Sequence, residues 1–287
     1  INKISNGSIM MLENIRFNEG EETNNEEFSK KISSLGDIYI NDAFSCSHRS
    51  HASIEGITKH IPSYFGLHIM EEINALKKIT SEIKKPVTCI IGGSKISTKI
   101  KIISNLIKIF DNIIIVGGMA NIMLKNQGIN IGKSICEDGY DNLVKEILEK
   151  TKIYNCQIYC PVDVVVSQNL NGKGKVKKIS EIENEDIILD IGFETITKIK
   201  KIIDNSNTVL WNGPAGYYEN SNFANGTKEI IKIITNKTFK DKIFSVAGGG
   251  ETVAVINKFN KLDSFTFVST AGGAFLEFLE GKELPGI

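Results

Sequence analysis

The chain alternates between short β-branched runs and stretches in which apolar residues recur every three or four positions. The run Val87–Ile91 (VTCII) predicts a buried strand. It stops at Gly92-Gly93, where two missing Cβ atoms permit a tight turn and let a ligand approach the backbone. Beyond it Ile96, Ile100, Ile103, Ile107 and Phe110 are spaced as one apolar face of a helix. Lys95 and Lys99, four apart, are expected on one side of its first turns, beside free N–H groups and a positive dipole end. From this stretch alone, phosphate binding and an ordinary helix with solvated lysines both stand open.

The same pattern repeats downstream. Strand ends are predicted at Ile90–Gly93, Ile113–Gly118, Tyr159–Asp163, Ile188–Gly192, Val209–Pro214, Phe244–Gly250 and Phe267–Gly273. Helical stretches are expected at Asp141–Lys150, Glu194–Asp204, Thr227–Asn236 and Glu251–Phe259, and Gln168–Lys178 reads as a polar loop or hairpin. Strands alternating with helices predict an α/β fold with a doubly wound, mainly parallel sheet, whose ligands sit beyond the C-terminal strand edge. Upstream lies part of a second α/β domain. It holds the apolar run Ile9–Leu12, a helical stripe of Phe28, Ile32 and Leu35 closed by Gly36, a strand at Ile38–Ile40 and a polar loop over 41–53. Ile69, Ile73, Leu76, Ile79 and Ile83 predict one long connecting helix, ended at Lys85-Pro86 because a residue before proline resists the helical region. The expected domains are therefore 1–68, a connecting helix over 69–85, a nucleotide-binding domain over 86–267, and a helix and tail over 268–287 that return toward the first domain.

With 287 residues the chain is long enough for two cored domains. A net charge of zero argues against nucleic acid or an anionic membrane as partner. No apolar run approaches the roughly 18 residues of a membrane span. The five cysteines are scattered without a CxxC pair, which suits a reduced cytosolic protein. The chain opens on Ile1 rather than Met, so an incomplete first domain is expected.

The candidate chemistry sits at the predicted strand ends. Gly248-Gly249-Gly250-Glu251-Thr252 joins consecutive glycines, able to meet phosphate oxygens, to a carboxylate able to hold a metal; a plain helix start with a favourable glutamate is the alternative. Trp211-Asn212-Gly213-Pro214, followed by Tyr217, Tyr218 and Glu219, offers surfaces for a purine and an acceptor for ribose hydroxyls, or simply core aromatics and an exposed acid. Arg16 and Arg49 are the only arginines, and the guanidinium fork suits phosphate and carboxylate. No GxGxxG or GxSxG is present, and the glycine spacing of Gly128–Ser134 is one residue short of a Walker A loop.

Together, LENIRF, NDAF…HRSHAS, GGSKISTK, GGMAN, LWNGP, GGGET and VSTAGGAFLEFLEGKELPGI stand in an order that resembles the phosphoglycerate kinases over nearly the whole chain. The resemblance implies phosphoryl transfer between 1,3-bisphosphoglycerate and Mg-ADP, giving 3-phosphoglycerate and Mg-ATP in glycolysis, by a cytoplasmic monomer. By the same token Arg16 and Arg49 would grip the glycerate's non-transferring phosphate. Lys99, with Lys95 beside it, would meet the moving phosphoryl group, as would the amides at Gly272 and Gly273. Gly117, Gly118 and Pro214 would line the adenine slot and Glu219 would bind ribose. Asn212, Gly249, Gly250 and Thr252 would contact the nucleotide, and Glu251 would hold Mg2+. A nucleotide-binding relative without turnover is the alternative. Glu251 stands where the family has Asp, Phe193 where a proline is usual, Val116 and Ala271 where glycines are usual, and Ser45-Cys46 in place of Gly-Thr. The family's upstream arginine and strand-end Asp/Asn are not in this chain, so the 287 residues are expected to bind Mg-nucleotide without turning over.

Overall fold

The computed structural model describes residues 5–287; residues 1–4, the start of the first expected domain, lie outside it. The chain divides into two compact units, one running up to Asn74 and resuming over Lys282–Ile287, the other spanning Ala75–Gly281.

The first unit contains short helices α1 (Glu19–Glu22) and α2 (Glu26–Ser33), then strands β1 (Tyr39–Asn41) and β2 (Ser63–Phe65), which pair in parallel. The stripe predicted over Phe28, Ile32 and Leu35 is not the buried face: α2 buries Ser29 and Ser33, whose hydroxyls bond to the Asn25 and Lys30 carbonyls. Asn24 has φ +52° and separates the two helices, and the Asn25 side chain accepts from Phe28 N to start the second. In the apolar run Ile9–Leu12, Ile9 is 98% and Met11 94% exposed. The C-terminal residues join this unit through Gly286, whose N–H donates to Ser47 O and whose carbonyl accepts from Asn41 Nδ2.

Helix α3 (Leu67–Thr80) contains the boundary between the units and stops five residues short of the predicted Lys85. Ile83 therefore lies outside it. The carbonyls of Lys84, Lys85 and Pro86 accept from Thr208 Oγ1, Asn207 Nδ2 and Asn207 N, so this stretch is committed to the neighbouring strand instead of a helical ladder.

The second unit runs β3 (Val87–Ile91), α4 (Ile100–Leu106), β4 (Asn112–Ile115), α5 (Gly118–Asn126), α6 (Asp141–Tyr154) and β5 (Gln157–Tyr159). It continues through β6 (Asp163–Ser167), β7 (Lys175–Lys178), β8 (Ile187–Ile191), α7 (Phe193–Asp204), β9 (Thr208–Asn212) and α8 (Asn225–Asp241). The last elements are β10 (Phe244–Gly248), α9 (Gly250–Lys258), β11 (Phe267–Ser269) and α10 (Gly273–Leu279). Six strands form one parallel sheet in the order β11-β10-β9-β3-β4-β5. All five residues of β3 and of β9 are buried, as a central strand covered on both faces requires.

One strand expected in that sheet, the one ending at Ile188–Gly192, lies elsewhere as β8, and β6 was not foreseen as a strand. β6 and β8 pair antiparallel with each other, and β7 completes a separate three-stranded sheet in the order β7-β6-β8. Gln168–Lys178 thus turns and returns as the hairpin strand β7. Helices α7, α8 and α9 pack on the parallel sheet through Ile199, Ile203, Ile230, Ile234, Val255 and Ile256. Trp211 is fully buried in that cluster, stacks on Phe265 with ring centroids 6.1 Å apart, and donates its indole N–H to Gly213 O at 2.8 Å.

The order of strands positions the site. From β3 the chain winds outward through β4 to β5, and from β9 it winds the other way through β10 to β11. β3 and β9 are neighbours, so connections leave their C-terminal ends in opposite directions and open a crevice between them.

Candidate functional site

That crevice is floored by backbone. Gly92 N donates to Asn212 O at 2.8 Å and Gly93 N to Pro214 O at 3.2 Å, which zips the two strand ends together. A Cβ on Gly92 would lie 2.1 Å from Pro214 O, and one on Gly213 2.3 Å from Gly92 O, so the close approach admits only glycine there. Gly213 N in turn donates to Thr252 Oγ1 at 2.7 Å, and Asn212 Nδ2 to Gly248 O at 2.6 Å, which binds the end of β10 into the same floor.

Two adjoining cavities open from this floor, both within the second unit. The larger, about 500 Å³, is mainly apolar. Gly117, Gly118 and Pro214 line it, together with Ile135, Leu189 and Tyr218, and Glu219 stands at its wall. The smaller, about 280 Å³, is lined by Lys95, Lys99, Asn212, Gly249, Gly250, Glu251 and Thr252. Gly93, Ser94 and Glu251 belong to both, so the cavities are continuous. An apolar slot opening into a cluster of lysines, backbone amides and one carboxylate is complementary to a base joined to a polyphosphate.

Lys99 is the electrostatic centre. Its Nζ donates to Gly92 O at 2.6 Å. Burial pushes its pKa down from 10.5 to about 8, against the attraction of Glu251, which raises it. The amine is poised to gain a strong anionic partner. The predicted helix carrying Lys95 and Lys99 on one face does not form. α4 starts at Ile100, with Lys99 as its N-cap, and residues 94–99 are an irregular turn. The apolar periodicity that suggested an earlier start is real in burial, since Ile96, Ile100, Ile103, Ile107 and Phe110 are all buried. The turn carries Ile96 into the core without a helical ladder.

On the other side, Gly249 takes φ +95° as N-cap of α9, and Gly250 has open space where a Cβ would stand. Glu251, in the first turn of α9, is exposed. Among the described residues no group of three His, Cys, Asp or Glu could hold a metal, so the site offers Glu251 and not a protein cage. Gly272 and Gly273 start α10, and it is Leu276 of that helix that reaches the smaller cavity. Phe193, which stands where a proline is usual in the family, is 75% exposed and is not among the lining residues.

Arg16 and Arg49 both border Cys46 in the first unit: Arg16 Nη2 lies 3.9 Å from its Sγ, and Arg49 N donates to its carbonyl. Sequence reasoning missed the group that fixes the loop carrying Arg49. The buried Glu21 carboxylate accepts from Ser53 N at 3.0 Å and Ser53 Oγ at 2.6 Å, and pairs with His51 Nδ1 at 3.6 Å. It also missed Asp190, a buried wall of the larger cavity, whose carboxylate accepts from Gly226 N at 2.7 Å and Ile191 N at 2.9 Å. Burial pushes its pKa up to about 7, partly countered by those backbone donors. Its position before a strand-end glycine in ILDIG was the available signal.

The arrangement is that of a known family, whose model, phosphoglycerate kinase, matches residues 1–282. The chain belongs to the phosphoglycerate kinase family. A phosphoglycerate kinase of Wolbachia pipientis from Culex pipiens is 47% identical over all of this chain and 73% of its own length, and one of Xanthobacter flavus is 42% identical over the same shares. The phosphoglycerate kinase structure from Coxiella burnetii superposes with a TM-score of 0.91 at 39% identity, covering 95% of this chain and 70% of that one. That from Pyrococcus horikoshii gives 0.81 at 30% identity with the same coverage. Phosphoglycerate kinases are phosphotransferases, and this chain carries the family's mixed α/β fold with its mainly parallel sheet.

Proposed function

We propose that the two cavities hold the nucleotide of the phosphoglycerate kinase reaction, ADP or ATP, with the base in the apolar cavity and the phosphates in the lysine-lined one. The observation that carries this is Lys99, a desolvated amine at the floor of the smaller cavity, between Gly92 O and the Glu251 carboxylate. In this reading Gly117, Gly118 and Pro214 bound the base, and Glu219 accepts ribose hydroxyls. The amides at Gly249 and Gly250 with Thr252 and Asn212 hold phosphate oxygens, and Lys95 and Lys99, with the amides of Gly272 and Gly273 at the start of α10, meet the transferring group. Arg16 and Arg49 take the non-transferring phosphate of 1,3-bisphosphoglycerate or 3-phosphoglycerate.

The residues present fit Mg2+, a hard cation that binds through one or two carboxylates and completes its shell with phosphate oxygens and water. Glu251 is the carboxylate, and the ion would supply neutralisation of charge on the transferring group. The chain's own part is positioning and electrostatics. The attacking oxygen is already an anion, so no general base is required. Lys99 stabilises negative charge that spreads over the phosphoryl oxygens, and the fixed amides do so without reorganising. The turns that hold them set the geometry, where a misplacement of about 1 Å can cost on the order of 10²-fold in rate. A cytosolic monomer is part of the same reading, in keeping with the free cysteines and zero net charge. No described helix is long and apolar enough to cross a membrane.

The test is ATP formation from 1,3-bisphosphoglycerate and Mg-ADP by the full-length protein, wild type against Lys99→Met. Loss of turnover with retained folding is expected. Undiminished turnover in the variant would refute the assignment.

A further inference from the structure

The turn that carries Lys95 and Lys99 has no secondary structure of its own, yet a phosphate site needs it fixed. Within it, Lys99 N and Ile100 N donate to Ile96 O at 2.9 Å and Thr98 Oγ1 donates to Lys95 O at 3.0 Å, which closes the turn on itself but ties it to nothing else. Beyond the Lys99 Nζ bond to Gly92 O and the burial of Ile96, a further hold comes from forty residues downstream. Glu137 grips Ser97 with both carboxylate oxygens: Ser97 N donates to Oε2 at 2.8 Å and Ser97 Oγ to Oε1 at 2.6 Å. Burial raises the Glu137 pKa, but the Ser97 hydrogen bonds and nearby Lys95 outweigh it, so the acid is held below its usual range and ionised. Charge-assisted bonds to a two-pronged acceptor are the strong, directional kind.

Glu137 is itself carried on a braced segment. Ser134 Oγ accepts from Ile188 N at 2.8 Å, which ties the segment to β8, and Ile135 O accepts from Asn121 Nδ2 at 2.9 Å, which ties it to α5. The side chain of Ile135 lines the apolar cavity, two residues before Glu137. One short stretch therefore walls the base cavity and clamps the phosphate turn.

We infer that Glu137 is a positioning residue for phosphoryl binding: through Ser97 it fixes the turn bearing Lys95 and Lys99, an inference that rests on the nucleotide assignment above. The Glu137 carboxylate touches no phosphate. It acts by holding the lysines where the phosphates of a nucleoside diphosphate arrive, while the base cavity depends on Ile135 and not on the carboxylate.

The experiment compares the affinities of ADP and of adenosine, by calorimetry on the full chain, for wild type, Glu137→Ala, Glu137→Gln and Ser97→Ala. Glu137→Ala should weaken ADP about tenfold or more, the scale at which outer-shell partners act, and leave adenosine within about twofold. Glu137→Gln keeps an acceptor for Ser97 and should recover part of the loss. Ser97→Ala, which removes one of the two bonds, should fall between wild type and Glu137→Ala, and it carries the test if Glu137→Ala does not fold. Equal weakening of ADP and adenosine would mean a general structural role and overturn the inference, as would unchanged ADP affinity in both Glu137→Ala and Ser97→Ala. Wild-type protein that binds ADP no better than adenosine would instead overturn the phosphate assignment itself.

Discussion

Lys99→Met offers a prediction in which function and stability move in opposite directions. The Lys99 amine is held at about 8 against 10.5 in the unfolded chain, first by burial. At about 1.4 kcal/mol per pH unit, keeping it charged costs the folded state about 3 kcal/mol. The sign follows from linkage. Between about pH 8 and 10.5 the unfolded chain holds the proton and the folded one does not, so wild-type stability rises with pH across that window. Below pH 8 both states are charged and the cost is present in full. Methionine has nearly the same reach and no charge, so Lys99→Met should exceed wild type in stability at pH 7 and lose that advantage, by about 3 kcal/mol, by pH 10.5. Urea unfolding of both proteins at half-unit steps from pH 7 to 10.5 gives the difference directly, since groups common to the two cancel. The same variant should bind ADP weakly, because a desolvated lysine is retained at a stability cost where ligand charge requires it. A stability difference that stays flat over this range would refute the reasoning, for it would mean that the amine is well solvated.

Glu251→Gln removes the negative charge that supports Lys99 and leaves Mg2+ only a neutral amide oxygen; ADP affinity in the presence of Mg2+ should fall about tenfold, read by calorimetry with and without the ion, with adenosine unchanged. Gly249→Ala should destabilise the protein by about 1–3 kcal/mol in urea unfolding, because φ is +95° and the new Cβ would lie 2.5 Å from Asn212 Nδ2. For Asp190 the folded pKa is raised to about 7 from 3.8, so its contribution is complete below about pH 4 and is lost as pH rises through 7. Asp190→Asn should therefore gain on wild type as pH goes from 4 to 7, tracked by unfolding at each pH.

What was legible in the sequence was local. Strand ends announced themselves because β-branched runs stop at glycines whose missing Cβ lets β3, β9 and β10 converge, and Gly92, Gly213 and Gly249 all meet there. The start of α4 was not legible, since Ile96 keeps helical spacing with Ile100 while sitting in a turn. Periodicity reports which side of the chain is buried, not whether its backbone hydrogen bonds are helical. The antiparallel β6–β8 pair was hidden for a related reason: its strands are as apolar as the parallel ones, and partner choice lies in long-range pairing. Glu21 and Glu137 were invisible because an acid in a charged stretch reads as solvated. Only the fold brings Ser53 to the first and Ser97 to the second.

The most direct measurement of the central claim is a crystal structure of the protein with Mg-ADP. The account predicts the base between Ile135 and Leu189, the ribose at Glu219, and the β-phosphate within hydrogen-bond distance of Lys99 Nζ and the Gly249–Gly250 amides. A nucleotide bound away from the ends of β3, β9 and β10, or with its phosphates remote from Lys99, would contradict it.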